Sequence, residues 1–245
     1  MSRKILIYPL LILTLIQNGI TQAADKIPEI IDIPTMSKWH GYFSDSSDKE
    51  LYKLGILAFN GAPEVFSIIA SLKRMYNIED AVETGTFKGY TTVLLSSIFE
   101  NVYSVELNKN NYDDAMKFLE EFKNIKLILG SSEDTLNKLL PSLKAKKLLF
   151  YLDAHWHDYW PILDELDAIS KTHKDNCIIV IDDVLVPGRS DVAFDKYKRQ
   201  PLSYEYVKAK LDNIFTNYSV HYIISNVNKI PHAQMVLIPE IGNLR

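Results

Sequence analysis

Cysteine is almost absent from this 245-residue chain, and the one thiol, Cys177, excludes an intrachain disulfide framework and a cysteine-built metal site. It lies in an apolar run and reads as a core residue. An excess of positive charge is missing too. With 27 Lys and Arg against 31 Asp and Glu the formal net charge is −4, which leaves no bulk electrostatic footprint for nucleic acid. Lys144, Lys146 and Lys147 form a short basic cluster that reads as a solvated loop. No internal repeat, low-complexity tract, Ser-His-Asp nucleophile elbow, Lys-Ser/Thr phosphate loop or G-x-G-x-x-G fingerprint occurs. His155 and His157 lack the Cys or spaced third His that would complete a zinc site.

The first residues have a different character. Arg3 and Lys4 precede an apolar run, Ile5 to Ile16, of signal-peptide length and short for a membrane span. Thr21-Gln22-Ala23 places small residues where a signal peptidase reads, so cleavage is expected after Ala23 and no stable membrane span after it. No cysteine follows, which excludes a lipoprotein anchor. An uncleaved anchor is the alternative, and charge asymmetry would still put the domain outside; Met36 offers a later start. The expected organisation is a signal peptide at 1–23, an extension and helix at 24–76, and one domain at 77–245. The extension carries Trp39, His40, Tyr42 and Phe43 and reads as a cap or a packed leader.

From Pro63 to Tyr76 the apolar spacing predicts a helix, and beyond it strands and helices alternate. Continuous apolar runs predict strands at 81–84, 102–107, 126–129, 148–153 and 178–182. Helices are expected at 90–99, 111–122, 133–139, 160–171 and 204–214, followed by a hairpin from 220–224 and 234–238. Runs of that kind belong to a mostly parallel α/β sheet covered on both faces, which binds ligands at the carboxyl ends of its strands. Glu83, Glu106, Asp153, Asp182 and Asp183 all fall at such ends. Asp158 and Asp164 read as residues that start and solvate a helix.

The most informative stretch is Ala81-Val82-Glu83-Thr84-Gly85-Thr86-Phe87-Lys88-Gly89. A strand ends in an acid and then in a glycine-spaced turn, and a second strand ends in Glu106 about 20 residues on, the spacing at which an acid accepts both ribose hydroxyls. Glu83 would repel a diphosphate and suits a cationic amino or sulfonium group. These residues resemble motif I and the following acidic position of class I S-adenosylmethionine-dependent methyltransferases. The resemblance implies a Rossmann-like, seven-stranded, mostly parallel sheet with a C-terminal antiparallel hairpin. It implies S-adenosylmethionine bound by Glu83, Gly85, Thr86, Gly89 and Glu106. The adenine would lie beside Ser131, Ser132 and Glu133, which read equally as a helix cap, and Asp153 would border the cofactor.

Asp153-Ala154-His155-Trp156-His157 and Asp182-Asp183 are similar to the metal site of catechol-type and macrocin-type O-methyltransferases. That resemblance implies Mg²⁺ held by Asp153, Asp182 and Asp183, with a small hydroxylated acceptor as partner. Those enzymes carry a lysine base near the first acid; here His157, then His155, are the candidates for removing the acceptor proton. Two alternatives stay open: a cephalosporin-hydroxylase-like enzyme on the same scaffold, and an exported non-catalytic binding protein.

Overall fold

The structure, a computed structural model, describes residues 29–33, 57–62, 64–154, 159–225 and 231–240. The chain runs through β1 (Glu29–Ile33), a 3₁₀ turn (Ala58–Gly61), α1 (Glu64–Tyr76), β2 (Asp80–Thr84), α2 (Tyr90–Ser96), β3 (Asn101–Glu106), α3 (Lys109–Phe118) and β4 (Ile125–Leu129). It continues through α4 (Ser132–Leu143), β5 (Leu148–Leu152), α5 (Ile162–Ser170), β6 (Cys177–Ile181) and a short hairpin of β7 (Lys196–Tyr197) and β8 (Gln200–Pro201). α6 (Tyr204–Ile214), β9 (Tyr218–Ser225) and β10 (His232–Pro239) complete it.

Among the described residues the main sheet has the order β1-β9-β10-β6-β5-β2-β3-β4. Strands β2 to β6 pair in parallel, and β10 runs antiparallel to both β6 and β9. The seven expected strands and the C-terminal hairpin are therefore present. An eighth, β1, pairs in parallel with the outer strand β9, within the segment read from sequence as a cap or leader. Pairing began one or two residues before most expected strands, because backbone ladders extend past the apolar run that reveals them.

Alternation along the strands builds two separate cores. Val82, Leu148, Phe150, Leu152, Ile179 and Ile181 face one layer, together with α4, α5 and α6 through Leu136, Leu166 and Leu211. Ala81, Leu149, Tyr151, Ile178 and Val180 face the other, where Ile69 and Leu72 of α1 and Leu95 of α2 cover them. Burial on both faces explains why these strands carry no polar alternation. Trp160 packs in the first core against Tyr197 and Tyr206, and Cys177 is buried there as expected. Lys146 departs from a purely solvated loop: its ammonium pairs with the fully buried Asp80 at 2.6 Å.

The segment 1–23, read as a signal peptide, lies outside the described residues, as do Trp39, Tyr42, Trp156 and Asp158. Among the described residues no helix is long and apolar enough to cross a membrane.

Candidate active site

At the carboxyl edge of the sheet lies a cavity of about 660 Å³, and its two ends differ chemically. One end is walled by Gly85, Phe87, Glu106, Leu107 and the Gly130–Glu133 turn. The other is walled by Asn60, Asp153, Tyr159, Asp183 and Asp195.

The first end is a backbone construction. Gly85 donates from its N–H to the carbonyl of Val105 at 2.9 Å and sits at φ +85°, where an L side chain is strained. A Cβ there would stand 2.4 Å from the backbone oxygen of Asp153, so the glycine lets β2 and β5 leave the sheet side by side. Glu106 is held by the next turn: Oε2 accepts from the N–H of Phe87 at 2.8 Å and Oε1 from the N–H of Asn108 at 2.7 Å. Each oxygen keeps a second lone pair, so a vicinal diol entering the cavity meets a fixed acceptor. Phe87 and Leu107 stand exposed at the mouth, a flat apolar margin for a planar ring. Ser131 precedes α4 as its N-cap residue without a capping side-chain bond, and the Ser132 hydroxyl reaches Glu133 at 3.5 Å.

Glu83, Thr86 and Gly89 stand one layer beneath this wall. Glu83 is buried, and its Oε2 accepts from Thr92 at 2.5 Å and Ser104 at 2.6 Å. Thr86 joins the same network through Ser104 at 2.6 Å, and Gly89, at φ +81°, opens α2 against Leu119. These residues shape the loop from below. Burial pushes the Glu83 carboxyl up to about 7, against the lowering effect of the Ser104 and Thr92 hydroxyls, with Glu106 adding repulsion. A raised acid stabilises the fold fully below its unfolded value of 4.5 and loses that contribution as pH climbs through about 7. The shift corresponds to about 3 kcal/mol. Glu83→Gln should therefore flatten the stability profile between pH 5 and 8, and denaturant melts of both proteins across that range check it. Parallel profiles would contradict a raised Glu83.

The acid end collects carboxylate oxygens from two chain segments, the ends of β5 and β6. Asp153, Asp182 and Asp183 each bring a carboxylate oxygen within 4.8 Å of the others. Asp182 is buried and fully engaged. Its Oδ1 accepts from Gln234 at 2.6 Å and from the N–H of Asp183 at 2.9 Å, and its Oδ2 from Tyr151 at 2.9 Å and Asn60 at 3.1 Å. The Asn60 amide also donates to Asp183 at 3.1 Å and so bridges the two acids. Asn60 and Phe59 both hold left-handed backbone angles, and Phe59 is pinned by its N–H to Thr91 and by its ring against Tyr151. Asp183, at φ +50°, accepts from His232 at 2.8 Å.

Burial, then the charges of Asp182 and Asp183, push the Asp153 carboxyl well above the ordinary range. Three hard oxygen donors at one point, whose charges repel one another when no cation lies between them, match the donor chemistry of a divalent cation such as Mg²⁺. The bond to Asp183 raises the pKa of His232, and the ring orients that carboxylate.

The structure thus brings Gly85, Glu106, Ser131, Ser132, Glu133, Asp153, Asp182 and Asp183 together at one cavity or its floor. His155 and His157 lie outside the described residues. Asn60, Tyr151, Asp195, His232 and Gln234 were not singled out from sequence. Gln234 and His232 alternate along β10 and Asp195 precedes β7, so their only sequence signal is a polar residue interrupting an apolar strand or flanking a turn.

The family model described as a methyltransferase domain matches residues 82–184. No curated protein matches the chain in sequence. Among solved structures, the O-methyltransferase TomG of Streptomyces achromogenes, in complex with S-adenosylmethionine, is similar at a TM-score of 0.58 and 16% identity, over 84% of this chain and 99% of that one. An O-methyltransferase of Bacillus cereus, in complex with S-adenosylhomocysteine, is similar at 0.55 and 16% identity, over 82% of this chain and 99% of that one. The fold is that of the class I S-adenosylmethionine-dependent methyltransferases, and residues 82–184 are similar to a methyltransferase domain.

Proposed function

We propose that this methyltransferase moves a methyl group from S-adenosylmethionine to a hydroxyl of a small acceptor, with Mg²⁺ at the acid end. The observation that carries the reading is the two-ended cavity. A diol-reading acid beside a glycine turn stands at one end, and three converging carboxylates stand at the other.

When bound, S-adenosylmethionine supplies an electrophilic methyl on sulfur, and Mg²⁺ lowers the pKa of a hydroxyl oriented on it. Gly85 admits the methionine part close to β2 and β5, with Glu83, Thr86 and Gly89 bracing that turn. Glu106 fixes the ribose, and Ser131, Ser132 and Glu133 border the adenine. Asp153, Asp182 and Asp183 hold the cation, while Tyr151, Gln234 and Asn60 keep Asp182 oriented. His157, with His155 as second candidate, takes the acceptor proton. The chain's own contribution would be to hold the two ends of the cavity in line, and such alignment supplies much of the rate of a group transfer.

Calorimetric titration with S-adenosylmethionine, with and without Mg²⁺, tests the reading; saturable binding is expected, and its absence under both conditions would sink it. Glu106→Gln turns one acceptor oxygen into a donor facing a backbone N–H. Its S-adenosylhomocysteine affinity should fall about 100-fold, since hydrogen bonds to a charged group contribute about 1.5–3 kcal/mol each. Equal affinities would put the ribose elsewhere. The hydroxylase-like and binding-protein alternatives gain no specific observation. Export is supported by the Arg3-Lys4 pair, the apolar run and the Thr21-Gln22-Ala23 site, and the 24–76 and 77–245 division by the start of the alternating strands. A mass measurement of the mature N-terminus checks the export reading.

A further inference from the structure

The β7–β8 hairpin carries three cations and no acid over 196–201, in a chain whose net charge is −4. Lys196, Lys198 and Arg199 are exposed. Among the described residues none of them pairs with a carboxylate; Lys196 lies over the Phe194 ring at 4.8 Å and Lys198 over the Tyr197 ring at 4.9 Å. Contacts with ring faces leave the charge available to an anion.

The hairpin is fastened to the acid end of the cavity. Asp195, the residue before it, lines the cavity and donates its N–H to the carbonyl of Asp183 at 2.8 Å. Leu202, the residue after it, donates to the carbonyl of Asp195 at 2.9 Å and accepts from Leu185 at 2.7 Å. Tyr197 turns inward onto Trp160, with ring centroids 5.9 Å apart, so Lys196, its neighbour on β7, takes the outer side, and Lys198 and Arg199 form the turn between β7 and β8.

Two opposite fields therefore lie side by side. Asp153, Asp182, Asp183 and Asp195 make one end of the cavity acidic, and Lys196, Lys198 and Arg199 make the hairpin that continues from Asp195 basic. A wholly anionic ligand is repelled by the acid end; a neutral one gains nothing from the hairpin. We infer that the acceptor is bipolar in layout: its hydroxyl reaches the acid end while an anionic group, carboxylate or phosphate, rests on the Lys196–Arg199 hairpin. The inference rests on the methyltransferase reading and names the substrate class for it. Fixed opposite charges across one site discriminate among ligands more than they add raw affinity.

The test uses the full chain saturated with S-adenosylhomocysteine, titrated with phenol, 3-hydroxybenzoate and 3-hydroxyphenyl phosphate at low salt and followed by amide NMR. Both anions should bind at least about 10-fold tighter than phenol, moving the amides of Asp183 and Asp195 together with those of 196–199. A preference for 3-hydroxybenzoate or for 3-hydroxyphenyl phosphate separates the carboxylate from the phosphate. In K198A/R199A, whose exposed positions leave the melting temperature unchanged, the advantage of the anions should vanish. Equal binding of phenol, an unaltered double variant, or shifts confined to 196–199 would each overturn the inference. Failure of wild type to bind S-adenosylhomocysteine would instead overturn the methyltransferase reading on which it stands.

Discussion

Gly85→Ala should lower the melting temperature by about 10 °C and weaken S-adenosylhomocysteine binding by at least about 100-fold. The first effect combines a left-handed backbone, at φ +85°, with a Cβ placed 2.4 Å from the Asp153 carbonyl oxygen. Strain of that kind and overpacking each cost about 1–3 kcal/mol, and in a domain this size each kcal/mol moves the midpoint by about 2–4 °C. The second effect follows from what must move. The obstructing atom is backbone, so relief separates the ends of β2 and β5, which carry the two ends of the cavity. A displacement of about 1 Å in such a site costs about 100-fold. Thermal melts and calorimetry read the two effects separately. An alanine variant with wild-type affinity would show that ligand and turn are not in contact.

Asp182→Asn should abolish cation-dependent turnover, by about 1,000-fold, while leaving S-adenosylhomocysteine affinity within about threefold. Four donors converge on this carboxylate: the Tyr151 hydroxyl, the Gln234 and Asn60 amides, and the Asp183 N–H. An asparagine offers one oxygen and turns an NH₂ group toward two of those donors, at a cost of about 1–3 kcal/mol for each one left unpaired in a buried site. Stability should fall with activity, so Asp153→Asn is the useful companion. Burial and its neighbours already hold the Asp153 carboxyl well above the ordinary range, so an amide there relieves repulsion and should stabilise the cation-free protein. Turnover in Mg²⁺ by both variants, compared with their denaturant midpoints, separates the loss of a ligand from the loss of fold. Full activity in Asp182→Asn would exclude a metal-centred mechanism.

How much of this was legible in the sequence depended on distance along the chain. β2, β3, β5 and β6 are buried on both faces and read as unbroken apolar runs, and their closing acids are local signals. Asn60 is different. It meets Asp182 across 122 residues and Asp183 across 123, from a turn with no apolar period. His232 and Gln234 reach back 49 and 52 residues to the same acids, inside a strand whose apolar pattern hides them. β1 escaped notice because a five-residue edge strand in a Pro- and Ser-containing stretch needs only β9 beside it to form. The β7–β8 hairpin, two residues to a strand, is too short for any period to register.

The Asn60 bridge bears on where the functional unit starts. The matched domain begins at residue 82, yet the amide that spans Asp182 and Asp183 lies upstream, on a turn locked to Thr91 and Tyr151. A fragment trimmed to residue 82 would lose α1, the cover of one sheet face, along with the crosspiece between two of the candidate ligands. Any truncation meant to preserve the site has to keep the chain from at least residue 57, and an affinity handle belongs far from that turn.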